Sequence, residues 1–204
     1  SSFGQTSSEY FQSGYDKDDN GDYYGAIADY NKAIELNPDA ATYYNRGIAK
    51  KNLEDYYGAI ADYNKAIEID PDYADAYNNR GFTKNILEDY YGAISDFTRA
   101  IELDPNDAVP YNNRGFSKTK LKDYNGAISD FTKAIEINPN YAMAYYNRGN
   151  TKGRDLKDYY GAIADYNKAI ELNPDYTSAY ANRGLSRSEE HTSELQSRLH
   201  LVCR

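Results

Sequence analysis

The chain has no tryptophan, one cysteine (Cys203), one methionine (Met143) and two histidines (His191, His200). Both histidines and the cysteine lie at or beyond position 191. Everything before them therefore lacks the commonest general bases, metal ligands and thiol nucleophiles, and neither a cofactor nor a metal site is expected. No GxxxxGK[ST] or GxGxxG phosphate loop occurs either. The carboxylates are many but recur at equivalent places, which marks architecture rather than a unique catalytic group. An enzyme is not expected. No run approaches the roughly 18 apolar residues that a membrane-spanning helix needs, so membrane insertion is not expected. A net charge of −9 with no basic stripe argues against nucleic acid, whose phosphates must be neutralised by Lys and Arg. Despite abundant asparagine there is no Asn-x-Ser/Thr sequon. The opening SSFGQTSSEY has no initiator Met, basic n-region or apolar h-region. A soluble chain, cytoplasmic or secreted after loss of a signal peptide, is expected, with the compartment left open.

What is present in excess is tyrosine, 24 residues of it, and repetition. YNNRG at 77–81 recurs at 111–115, with YYNRG at 43–47 and 145–149 and YANRG at 180–184. DYYGAIADYNKAIE occupies 22–35, 55–68 and 158–171, with near-copies at 89–102 and 123–136. Blocks of 34 residues follow at 40–73, 74–107 and 108–141; 7–39 is one residue short, 142–176 is one residue long, and 177–187 is a partial copy. Each block reads as two helices. In 40–73 the first is predicted from about Thr42 to Asn52, broken by LEDY at 53–56. The second is predicted from about Tyr56 to Ile69, with Ala59, Ile60, Tyr63, Ala66 and Ile67 on one face. Pro71 ends it, as Pro38, Pro105, Pro139 and Pro174 do elsewhere. A pair this small cannot bury its own apolar face, so neighbours must stack.

The pattern resembles the tetratricopeptide repeat over residues 7–187. Its seven signature positions are filled in the third block by Tyr77, Gly81, Tyr90, Ala93, Phe97, Ala100 and Pro105. The resemblance implies an all-α fold, a right-handed α-solenoid, with Gly and Ala where helices approach closely and aromatics filling gaps between repeats. The chain departs from the family at position 7, where Arg46, Arg80, Arg114, Arg148 and Arg183 replace the usual Leu. Position 23 is Asp29, Asp62, Asp96, Asp130 and Asp165. Pairing of these two rows as a partly buried ladder is expected. Beyond Gly184 the pattern dissolves. RSEEHTSELQS at 187–197 resembles translated sequencing-adapter read-through, so 188–204 is expected to be a non-native tail, with the array continuing in the natural chain.

The resemblance also places a binding face. First helices line the concave side, and position 6, which points into it, holds Asn45, Asn79, Asn113, Asn147 and Asn182. An amide both donates and accepts, so the row suits successive peptide groups of an extended ligand, as in the asparagine ladders of the O-GlcNAc transferase repeat domain and armadillo proteins. Positions 5 and 9 add Phe11, Tyr44, Tyr146, Ile48, Phe82 and Phe116 as apolar pockets. The carboxylate clamp of chaperone-tail binders is absent, since position 2 holds Ala41, Asp75, Val109, Met143 and Ser178. The stretch DKDDNGD at 16–22 matches the start of an EF-hand loop, but Ile27 stands where a bidentate Glu belongs, and an acidic turn is the expected reading. Tyr24, Tyr57, Tyr91 and Tyr160 at position 18 either face partners or pack between repeats. These features lead to a non-catalytic scaffold for protein or peptide partners. Two rivals are an end-to-end homo-polymer and an accessory arm of a larger protein.

Overall fold

The computed structural model describes residues 5–202, and every described element is a helix or a turn. The chain divides into two compact halves, Ser1–Pro105 and Asn106–Arg204. The first holds α1 (Ser7–Asp19), α2 (Tyr23–Leu36), α3 (Ala40–Asn52), α4 (Tyr56–Ile69), α5 (Ala74–Ile86) and α6 (Tyr90–Leu103). The second holds α7 (Ala108–Lys120), α8 (Tyr124–Ile137), α9 (Ala142–Asn150), a π-helical turn Thr151–Asp155, α10 (Tyr159–Leu172) and α11 (Thr177–Val202). In the first half α1 packs on α2, α3 on α4 and α5 on α6, while α2–α3 and α4–α5 contacts join the pairs. The same order links α7 through α11.

The repeated DYYG string sets where each second helix begins. Asp22, Asp55, Asp89, Asp123 and Asp158 are N-caps, each accepting a hydrogen bond from the N–H of the glycine three residues on at 2.9–3.0 Å. At the other end the residue before proline leaves the helix. Asp70 takes φ −127°, ψ 93° and Asn138 φ −127°, ψ 92°, the extended backbone that a following proline imposes. Between the helices of a pair the chain turns through one left-handed residue: Glu54 (φ 63°), Glu88 (62°), Lys122 (65°) and Lys157 (57°). In the first pair Gly21 (φ 81°) takes this place, the residue that adopts it at no steric cost.

The core of each pair is an aromatic ring laid on glycine. A Cβ on Gly47 would sit 2.7 Å from Tyr63 Cε1, and the same clash recurs between Gly81 and Phe97 and between Gly115 and Phe131. The ring thus fills space inside its own repeat, rather than only the gap between repeats that the family resemblance suggested. Around it, Ala26, Ala49, Ala59, Ala66, Ala162, Ala169 and Ala179 are fully buried and let helices close up.

Two features depart from the regular repeat. The extra residue of the long repeat is absorbed as the π-helical turn at the end of α9. And α11 continues without a break to Val202, since neither glycine nor proline follows Gly184 to stop it. The stretch that resembles adapter read-through is therefore helical as far as Val202; Cys203 lies outside the described residues.

Candidate functional site

The charged rows meet as rungs. Arg46 grips Asp62 with two parallel bonds, Nε to Oδ2 at 2.8 Å and Nη2 to Oδ1 at 2.6 Å. Arg80–Asp96, Arg114–Asp130 and Arg148–Asp165 repeat this geometry. Each aspartate also receives a lysine at 2.8 Å, from Lys50, Lys84, Lys118 and Lys152. The arginine lies over the tyrosine three residues before it, 5.3 Å from the Tyr43 and Tyr77 ring centroids. In the first repeat Ser13 stands where the others carry arginine. Burial there pushes the Asp29 carboxyl up, but hydrogen bonds from Lys17 and Ser13 outweigh it and hold the group below its ordinary value. The lysine row, four residues after the arginine row, is the rung's third member, a role the sequence reading did not assign to it.

The asparagine row is half-buried on the first helices, and its amides are already partly used. Asn45 Nδ2 donates to the Ala41 carbonyl at 2.8 Å. Asn79 Nδ2 donates to the Asp75 carbonyl at 3.1 Å and to the Tyr44 hydroxyl at 2.9 Å. In the second half Asn147 Nδ2 donates to Asn112 Oδ1 at 3.0 Å, and Asn113 Oδ1 accepts from Asn112 Nδ2 at 3.4 Å. Asn182 is buried, donating to the Tyr146 hydroxyl (3.1 Å) and Asn150 Oδ1 (2.8 Å) while accepting from Arg154 Nη2 (2.9 Å). Its amide is consumed by the protein. At Asn45, Asn79 and Asn147 the carbonyl oxygen meets no donor among the described residues, and Asn45 and Asn147 each use only one of their two N–H groups.

Tyr44 and Tyr146 are equivalent supports for this row. The Tyr44 ring lies 6.0 Å from Tyr63 and 4.9 Å from Tyr73; Tyr146 lies 6.0 Å from Tyr166 and 4.7 Å from Tyr176. Burial pushes the Tyr44 hydroxyl well above its ordinary value, with Asp75 and Tyr73 adding to the effect, so it stays neutral and receives the Asn79 amide. By contrast Phe82 and Phe116 are 43% and 40% exposed, each beneath a lysine ammonium: Lys51 at 5.7 Å and Lys120 at 5.2 Å. Phe82 and Phe116 are thus free surface, while Tyr44 and Tyr146 are packed.

Two further expectations meet the structure here. Tyr24, Tyr57, Tyr91 and Tyr160 are 65–78% exposed and do not pack between repeats. Residues 16–19 form the last turn of α1 and Asp22 caps α2, so the calcium-like string is helix and cap rather than a ligating loop. Within it, burial raises the Asp18 carboxyl against the pull of Lys51, and Asp18 Oδ1 is buried without a hydrogen-bond partner among the described residues.

In the second half a cavity of about 350 Å³ opens beside the row, walled by Phe116, Tyr124 and Phe131 and edged by Lys120, Lys122 and Arg154. Arg154 also borders a neighbouring cavity of about 250 Å³ with Tyr159, Leu185 and Glu189. The sequence reading missed Arg154; the one-residue excess of its repeat was the only signal.

Antiparallel helix pairs, each with one ring on one glycine and all but the first with an Arg–Asp–Lys rung, define an α-solenoid scaffold. The chain belongs to the tetratricopeptide-repeat family. A TPR repeat profile matches residues 19–54, 51–84 and 152–188, and tetratricopeptide repeat profiles match 74–107, 108–141 and 131–164. A comparison with curated proteins finds no match. Among solved structures the chain is similar to the MamA protein (27% identity, TM-score 0.73, covering 86% of this chain and 96% of that one). It is similar to YrrB, described as a TPR protein with an unusual peptide-binding site (26%, TM-score 0.71, covering 86% and 91%). A tetratricopeptide repeat protein from Parabacteroides merdae shares the fold (21%, TM-score 0.79, covering 92% and 75%). Among the described residues no helix is long and apolar enough to cross a membrane. The chain is a protein-interaction scaffold.

Proposed function

We propose that the chain binds extended peptide segments of protein partners along its first-helix faces, without catalysing a reaction. One observation carries this reading. Asn45 and Asn79, on successive first helices, are each fixed by a bond from Nδ2 to the carbonyl four residues back, which leaves Oδ1 open at a one-repeat spacing. Such a row accepts backbone N–H groups of a ligand; Asn79 has spent both of its own N–H groups, so its recognition runs through the acceptor, while Asn45 keeps one N–H as well. Phe82, exposed on the neighbouring turn of the same helix as Asn79, offers an apolar contact for a ligand side chain. The likeness to YrrB supports peptides as the ligand class.

The test is a random-peptide array probed with the chain and with an Asn45→Ala, Asn79→Ala double variant. Bound spots should fade on the variant while its melting temperature stays near that of the parent. For a captured peptide, N-methylating the backbone N–H opposite Asn79 should weaken binding by about 1 kcal/mol, the net worth of one hydrogen bond. It should cost nothing further once Asn79 is alanine. Unchanged binding by the double variant would refute the reading.

A further inference from the structure

We propose that the cavity bounded by Arg154, Lys120 and Lys122 binds an acidic side chain, glutamate or aspartate, of a partner's extended segment. This rests on the peptide-binding reading and adds the residue class that one position of the ligand must carry.

Arg154 lies in the π-helical turn that absorbs this repeat's extra residue, at the cavity edge. Counted from the rung arginine, its position holds Asn52, Ile86 and Lys120 in the other repeats, so this repeat alone places a guanidinium there. The guanidinium is held at one corner: Nη2 donates to Asn182 Oδ1 at 2.9 Å. Asn182 is itself locked by the Tyr146 hydroxyl and Asn150. One of the five N–H donors is thereby spent on positioning, and the remainder suit the parallel two-bond grip of a carboxylate. Lys120 rests its ammonium over the Phe116 ring at 5.2 Å. Lys122 projects from the left-handed turn residue, φ 65°.

Charge complementarity selects the occupant. Among the described residues, no carboxylate lies within ion-pair distance of Lys120, Lys122 or Arg154. Four lysines of the same half do have such partners, Lys118 and Lys152 in the rungs and Lys133 and Lys168 on the surface, whereas here three unpaired cations line one cavity. The cavity lining sets these three cations against one carboxylate, Asp155, in a chain whose net charge is −9. Phe116, Tyr124 and Phe131 supply apolar wall for the methylenes of a glutamate. The volume, about 350 Å³, admits one side chain with its flanking backbone.

The experiment compares two blocked, fluorescein-labelled peptides, one alternating threonine with glutamate and the other threonine with glutamine, by fluorescence anisotropy on the full chain. The glutamate peptide should bind about tenfold tighter or more, as a charge-assisted grip implies. That preference should vanish in Arg154→Gln. It should also vanish in Lys120→Gln, Lys122→Gly, a variant chosen because glycine fits the φ of Lys122 and folding is preserved. It should survive in Lys168→Gln, which removes one positive charge paired elsewhere with Glu171. Equal affinity for the two peptides overturns the proposal and leaves the peptide-binding reading standing. An equal fall in Lys168→Gln overturns it by showing general attraction between charges. If neither peptide binds, the acidic site is refuted, and the asparagine row is judged on the array alone.

Discussion

Asp96, with its side chain 4% exposed, is held between a bidentate arginine and a lysine, and three further rungs are built alike. An ionised carboxylate this deep is tolerated only because both oxygens are paired. Removing a partner from a buried pair costs about 3–5 kcal/mol when the survivor is left alone. Here Lys84 still reaches Oδ2 at 2.8 Å, so Arg80→Ala should fall near the lower end, about 3 kcal/mol. Arg80→Lys keeps a charge but loses the fork and the stack on Tyr77, and should be intermediate. Thermal melts of the three proteins check the order. The Arg–Asp pairing was legible because both residue types recur in register and a charged residue had displaced the family's leucine. That these carboxylates take a second cation was not, because lysine at a helical position is ordinarily read as solvated surface.

The helices themselves followed from local chemistry. Tyr56–Ile69 was delimited by the LEDY turn and by Pro71, and α4 has those bounds, with Asp55 as the cap the structure adds. The backbone of the intervening turn was not readable from LEDY, since glutamate and lysine give no hint of a left-handed φ. Only Gly21, at the same place in the first repeat, signalled it. Glu88 at φ 62° carries the strain of an L-residue there. Its replacement, Glu88→Gly, should stabilise the chain by about 0.5–1 kcal/mol, the relief of strain outweighing the entropy of glycine. Gly21→Ala should destabilise it by a similar amount. Chemical denaturation with an unchanged slope would check both. The fate of the extra residue near Gly153 was equally hidden. An insertion can lengthen a turn or bulge a helix, and packing of α9 against α8 and α10 decides between them. For the asparagine row the sequence showed position and residue type. It did not show which amide atoms remain open, because that depends on the residue at position 5: Tyr44 and Tyr146 reach the next repeat's asparagine with a hydroxyl, and Asn112 does so with an amide.

Across the whole molecule the buried tyrosines tie stability to alkaline pH. Burial pushes the Tyr166 hydroxyl up to about 12, with Arg154 pulling the other way, and it raises Tyr30, Tyr44 and Tyr63 further. A folded-state value above the unfolded one, about 10, means the native state keeps its proton longer. Stability is therefore unaffected by these groups below about pH 10 and falls as pH rises towards the folded values, by roughly 2 kcal/mol for Tyr166 alone. Absorbance at 295 nm should show a late tyrosinate class that appears together with loss of helical circular dichroism. Tyr63 offers the sharper test. Its hydroxyl is buried without a hydrogen-bond partner among the described residues, and Phe97 and Phe131 fill the equivalent place in other repeats. Tyr63→Phe should thus raise stability at neutral pH by about 1 kcal/mol, because a desolvated, unpaired hydroxyl is removed. The same change should flatten the alkaline loss by deleting one of the ionisations that drive it. A variant less stable than the parent at pH 7 would mean that the hydroxyl is satisfied in solution and that the ring-on-glycine core tolerates, rather than merely endures, a polar atom.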